Sequence, residues 1–203
     1  MKKYAVLHEP GDIVTLAGTR FVVLDVERRG SLPDSLFLLA LESVGASEFG
    51  SSNNYAESDL KKAVDKWLED MGKRGLDNAK LIPREIDLTT LDGSGCYGKL
   101  SVKAAPLTLD EAREYADIIP NAERWCWLAT GWSGPSKSDG DLALYVNSNG
   151  DWYRNFCSNS YGIRPALKAP SILFEDSEAG LDLSKIPTDD LLQEIHRRLA
   201  EKA

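Results

Sequence analysis

Two runs, Phe21-Val22-Val23-Leu24-Asp25-Val26 and Ser35-Leu36-Phe37-Leu38-Leu39-Ala40-Leu41, are apolar with almost no alternation. A strand with one face in water alternates apolar and polar side chains, whereas a short continuous run bounded by turn signals reads as a buried strand. The first run follows a shorter extended segment, from which Ala17-Gly18 separates it, and Gly30 stands between the two. Both are therefore expected to be buried strands, and the rest of the chain has to cover them.

The period then changes. In "YAESDLKKAVDKWLEDMGKRG", Ser58 is placed to cap a helix, Leu60, Val64, Trp67, Leu68 and Met71 share one helical face, and Gly72 or Gly75 can end it. A second helix is expected in "PLTLDEAREYADIIP", where Thr108 and Glu111 form a capping-box pattern and the helix ends before Pro120. Between them, residues 77–104 carry closely spaced Gly, Pro and Asp and read as loops and small strands, with "LDGSGCYGK" the loosest part. "RWCWLAT" reads as a strand with Trp125 and Trp127 on one face. "LALYVNSNGDWYRNF" reads as a hairpin turning at Ser148-Asn149-Gly150-Asp151, since Asn-Gly is a strong hairpin signal.

"GIRPAL" closes the set as a short strand. Its Pro165 belongs at an edge or bulge, and its Gly162 at a bulge or a left-handed position. Arg164 lies among apolar neighbours, where a charge needs an ion pair or carbonyl partners. These elements predict an α+β domain over residues 1–170, with two helices and short antiparallel strands. An acidic linker (171–186) and a C-terminal helix (187–203) follow. In that helix Thr188 caps, acids precede bases along the dipole, and Leu192, Ile195 and Leu199 form a short seam suited to docking or oligomerisation.

Of 203 residues, 42% are hydrophobic and 28% charged, with a net charge of -8. That balance and the absence of any basic stripe argue against a nucleic-acid partner. No window is long and apolar enough for membrane insertion, and "MKKYAVLHEPGD" lacks the apolar stretch of a secretory signal, so cytoplasmic synthesis is expected. Cys96, Cys126 and Cys157 stand about thirty residues apart and match no zinc motif, so they read as free, buried or half-buried thiols. His8 and His196, one near each end, offer no triad. No cofactor is expected, and no catalytic set is visible.

Taken together, "GDIVTLAGTRFVVLD", "FLLALESVG", "NYAESDLKKAVDKWL", "LTLDEA", "WLAT", "YVNSNGD" and "GIRPAL" resemble the domain of unknown function 6273 family of bacteria and their phages, over about residues 10–168. The family's closing strand, Trp-strand and hairpin are similar to the C-type-lectin-like fold shared with formylglycine-generating-enzyme-like domains and with the variable proteins of diversity-generating retroelements. What the resemblance implies is a rigid scaffold with a variable binding face, phage- or prophage-encoded and associated with the virion. The tail resembles helical tails of phage proteins.

The candidate ligand-binding residues are Trp132, Ser138, Asp139, Tyr145, Asn147, Asn149, Trp152, Tyr153, Asn155, Asn159 and Tyr161. Tyr and Trp give contact area with few rotatable bonds, and Ser and Asn give adaptable hydrogen bonds, as in antibody paratopes. The partner expected is a protein or cell-surface ligand. Because strand side chains alternate, Asn147, Asn149, Tyr153, Asn155 and Asn159 are expected to tolerate joint substitution. Two other classes compete: a structural virion or accessory protein assembling through the tail, and a divergent oxidase-like enzyme. The latter requires Cys126 and Cys157 to meet in space, because they do not form the close cysteine pair through which formylglycine-generating enzymes bind copper. "SDGD" and "NSNGD" offer oxygens for calcium, but neither fits the twelve-residue loop and turns use the same residues.

Overall fold

Both apolar runs are strands with each face covered. The structure, a computed structural model, describes residues 8–30 and 32–174 together with Thr188 and Leu192. In chain order its elements are β1 (Ile13–Leu16), β2 (Thr19–Arg29), β3 (Leu32–Ala40), β4 (Ala46–Glu48), α1 (Asp59–Lys73), β5 (Arg84–Asp87), β6 (Lys99–Val102), β7 (Ala104–Pro106), α2 (Leu109–Glu114), β8 (Cys126–Gly131), β9 (Leu142–Val146), β10 (Trp152–Phe156), β11 (Ser160–Gly162) and β12 (Pro165–Pro170). Over residues 8–174 the described architecture is mixed α+β, with mostly antiparallel sheets and two α-helices.

One sheet runs β1-β2-β3-β12-β7, a second β10-β9-β8-β11-β4, and β5-β6 form a two-stranded ribbon. In β2, Phe21 and Val23 enter one apolar cluster while Val22 and Leu24 enter another. That split explains why the run shows no alternation: both faces are core. β8 is buried throughout for the same reason, sending Trp127 and Ala129 into the first cluster and Leu128 into the second. The β1–β2 turn places Ala17 at φ 47° and Gly18 at φ 75°, the paired left-handed geometry that suits the twist of a hairpin.

α1 covers the first cluster. Ser58 Oγ accepts from the Lys61 N–H at 2.9 Å, and Leu60, Val64 and Met71 are fully buried. Each such side chain contributes about 1.5–3 kcal/mol, so Val64→Asp would detach the helix. α2 covers the second cluster and has the expected box, Thr108 Oγ1 accepting from the Glu111 N–H while Glu111 accepts from the Thr108 N–H. It is shorter than its pattern implies. After Glu114 the chain makes turns in which the Ile118 and Ile119 N–H groups both donate to Tyr115 O. Tyr115 packs edge-on against Phe37 at 5.6 Å, anchoring that turn.

Two further expectations change. β12 lies inside its sheet, between β3 and β7, not at an edge. Pro165 is tolerated because it is the first residue of the strand and pairs only with Pro106, the β3 ladder starting at Ala166. Gly162 is not left-handed; it is required because a Cβ there would stand 2.8 Å from both Cys126 Sγ and Ser43 Oγ. Ser171–Phe174 form a 3-10 turn packed on the domain, with Phe174 6% exposed and Ser171 donating to Pro33 O. The rest of the linker and, apart from Thr188 and Leu192, the C-terminal helix lie outside the described residues. No helix of the described residues is long and apolar enough to cross a membrane.

Candidate functional site

The hairpin at residues 142–156 forms an edge of the second sheet, with β10 outermost. Asn147 builds its turn: Oδ1 accepts the Asn149 and Asp151 N–H groups at 2.8 and 3.0 Å, and Gly150 takes φ 88°. Period-two alternation then divides the candidate residues between the two faces of the sheet. Tyr153 pairs with Tyr145, and Tyr145 with Trp127, on one face; Arg154 and Trp152 emerge on the other, beside Leu144 and Val146.

The first face carries an aromatic stack. Trp125 lies parallel to Tyr145 at 5.3 Å, Tyr145 is parallel to Tyr153 at 5.9 Å, and Tyr161 closes on Tyr145 at 4.7 Å and on Trp127 at 4.6 Å. Its middle is buried and its ends are open: Tyr145 is 7% exposed, Trp125 46% and Tyr153 50%. Burial raises the Tyr145 phenol above its ordinary pKa. Trp125, expected within the strand on the same face as Trp127, instead precedes β8 and is a surface residue, whereas Trp127 is buried and donates Nε1–H to Ser47 O.

On the opposite face Trp132 is half-buried beneath the Arg154 guanidinium, 3.9 Å from its ring centre, and Arg113 stands over Trp152 at 5.6 Å. Cation–π pairs of this kind hold the flexible arginines against the sheet. Ser138 is exposed and Asp139 half-buried, in the loop before β9.

Most of the asparagines are occupied. Asn155 Oδ1 accepts the Phe156 N–H at 2.8 Å, and its Nδ2 donates to the Tyr161 hydroxyl at 2.5 Å. Asn159 Nδ2 donates to Asn155 Oδ1 and to Phe156 O, both at 3.1 Å. With Asn147 these side chains fasten turns and cover backbone groups at the end of the edge strand, leaving Asn149, Ser138, Trp152 and Tyr153 as exposed candidates. Local Asn-to-backbone bonding explains why so polar a segment persists in a sheet.

A residue outside the expected set does more. Asn53 is buried, and its Nδ2 donates to Ser133 O at 2.9 Å and to Leu142 O at 3.0 Å, while its Oδ1 accepts from the Tyr97 hydroxyl at 2.6 Å. It ties the loop before β9 to the body. The only sequence hint was an Asn-rich run, "SSNNY", immediately before a helix cap.

Cys126 and Cys157 do not meet. Cys126 lies opposite Val146, whereas Cys157 follows Phe156, which lies opposite Leu142 at the far end of β9. At ~3.3 Å per residue these ends are about 13 Å apart, well beyond disulfide reach. Both thiols are free and buried, and desolvation pushes Cys126 up to about 11 and Cys157 up to about 12. That environment disfavours the thiolate needed for nucleophilic or metal-binding chemistry. Among the described residues no group of three or more His, Cys, Asp or Glu side chains is arranged to hold a metal. Comparison with protein-family models, curated proteins and solved structures gives no match.

Proposed function

We propose that this chain is a binding module without catalytic activity, which engages a protein or cell-surface ligand through the aromatic stack and the exposed end of the hairpin. One observation carries the reading: Tyr145 is locked between Trp125 and Tyr153, so two large rings are held rigidly at the surface. Pre-ordered aromatic side chains lose little entropy on binding, which is why they dominate interface hot spots. An α+β body with buried strands on both sides supplies the rigidity, in keeping with the C-type-lectin-like scaffold that the sequence resembles. The phage or prophage setting and retroelement diversification belong to the same reading. They predict a near-copy of the coding segment for residues 125–167, differing at adenines, beside a reverse transcriptase gene.

The decisive experiment compares the wild type with Trp125→Ser/Tyr153→Ser for retention on a panel of bacterial cells and on their isolated surface proteins and glycans. Loss of two exposed stacking partners costs about 1–2 kcal/mol of stability, so the variant stays folded and loses retention. Equal retention of the two proteins refutes the stack as the binding surface. A wild type that is retained nowhere and self-assembles through its C-terminal region favours the accessory-protein reading.

A further inference from the structure

Arg164 sits where the chain steps from β11 in one sheet to β12 in the other, and it is 8% exposed. Its Nε donates to Ala40 O at 2.7 Å, at the end of β3. Nη2 is buried without a partner, and no carboxylate of the described residues forms an ion pair with the guanidinium. An arginine cannot shed its charge; Glu42 acts on this one only through space, so among the described residues the buried guanidinium has a single engaged N–H and no carboxylate in contact.

Arg164 lines a cavity of about 100 Å³ on the face opposite the aromatic stack. The floor and walls include Leu107, Ala112, Leu128 and Val146, Trp152 and the β9–β10 turn lie at one side, and Arg124 stands at the rim. Among the described residues no acidic side chain lines it, although the chain as a whole carries a net charge of -8. Two arginines and no acid in an apolar recess make a local reversal of charge. Water fits the space, since a single water needs about 10–15 Å³ of such volume, but water does not neutralise a buried cation.

We infer that this cavity binds a small organic carboxylate, whose carboxylate accepts from Arg164 and whose hydrocarbon body lies against Leu107, Leu128 and Val146. A carboxylate matches the guanidinium fork and carries one charge. Apart from Arg124 at the rim and the Asn121 and Asn147 carboxamides at the sides, the lining is mostly apolar, so an apolar tail rather than a second charge completes the fit. The site is separate from the aromatic stack and stands or falls independently of it.

Butyrate and benzoate are the probes, with butyramide and benzamide as neutral isosteres and inorganic phosphate as the anion lacking an apolar body. Binding is followed by two-dimensional NMR of the full-length chain at the Trp152 indole N–H and the Arg164 Nε–H. The carboxylates should shift both signals saturably with one-site stoichiometry, at least tenfold more tightly than either amide or phosphate. Because Arg164→Met also removes the bond to Ala40, two rim variants keep the test independent of folding. Ala116→Leu, at an exposed lining position, should weaken the carboxylates at least tenfold with an unchanged melt, and Arg124→Gln about two- to fivefold. Amides or phosphate binding as tightly as the carboxylates, no saturation by about 10 mM, or full affinity in Ala116→Leu would overturn the assignment.

Discussion

Replacing Asn53 by alanine removes the tie between the loop before β9 and the body, and the cost can be worked bond by bond. Leu142 O keeps a second donor, the Trp132 N–H at 2.9 Å, so losing the Asn53 Nδ2 bond there costs about 1 kcal/mol. Ser133 O has no second donor among the described residues and becomes an orphaned acceptor, which costs about 1–3 kcal/mol. The Tyr97 hydroxyl is carried on a half-buried side chain, and losing its bond costs about 1 kcal/mol or less. The total is about 2–5 kcal/mol, equivalent to a fall on the order of 10 °C in Tm for a chain of this size. Urea titration and thermal melting measure it, with Tyr97→Phe as the partner in a double-mutant cycle. Tyr97→Phe alone should cost about 1 kcal/mol, and adding it to Asn53→Ala should cost nothing further. A loss below about 1 kcal/mol for Asn53→Ala, or full additivity of the pair, would show that the carboxamide does not organise this loop.

Trp127→Ala should cost about 3–5 kcal/mol by chemical denaturation, because it empties a fully buried site that contacts Phe49, Tyr145 and Tyr161 and strips the donor from Ser47 O. In thiol titration of the native protein near neutral pH, only the exposed Cys96 should react promptly. Cys126 and Cys157, held neutral by burial with pKa values near 11 and 12, should react only after denaturant is added. Fast labelling of more than one thiol in the native state would contradict their placement.

Local chemistry was legible in the sequence and long-range chemistry was not. Ser58 and Thr108 announced their helices because a cap is a three-residue bond, and Asn149-Gly150 announced its hairpin because the turn needs a left-handed residue. The length of α2 was misread because Tyr115 is held by Phe37, far away in sequence. The same limit applies to the site. Alternation implied that residues 142–156 have two faces, but not that segment 116–124 would cover one of them and make a cavity over Arg164. The asparagines looked free because Asn in a loop and Asn fastening a loop have the same letter. Joint substitution of Asn147, Asn155 and Asn159 therefore removes structural bonds and is not the neutral change that surface position alone implied.

The position of β12 has a consequence for biosynthesis. β3 is complete at Ala40, yet the strand that fills the gap between β3 and β7 starts at Pro165. At ~5–20 residues per second, the ribosome takes on the order of ten seconds to deliver it. Throughout that interval the backbone of β3 offers an open, apolar edge to any other nascent strand, and the pairing that protects it spans most of the chain, a topology that folds slowly. The N-terminal hairpin can form early, but its sheet closes only as synthesis passes residue 170. A chain cut short before "GIRPAL" would therefore be a substrate for chaperones and proteases rather than a smaller folded domain.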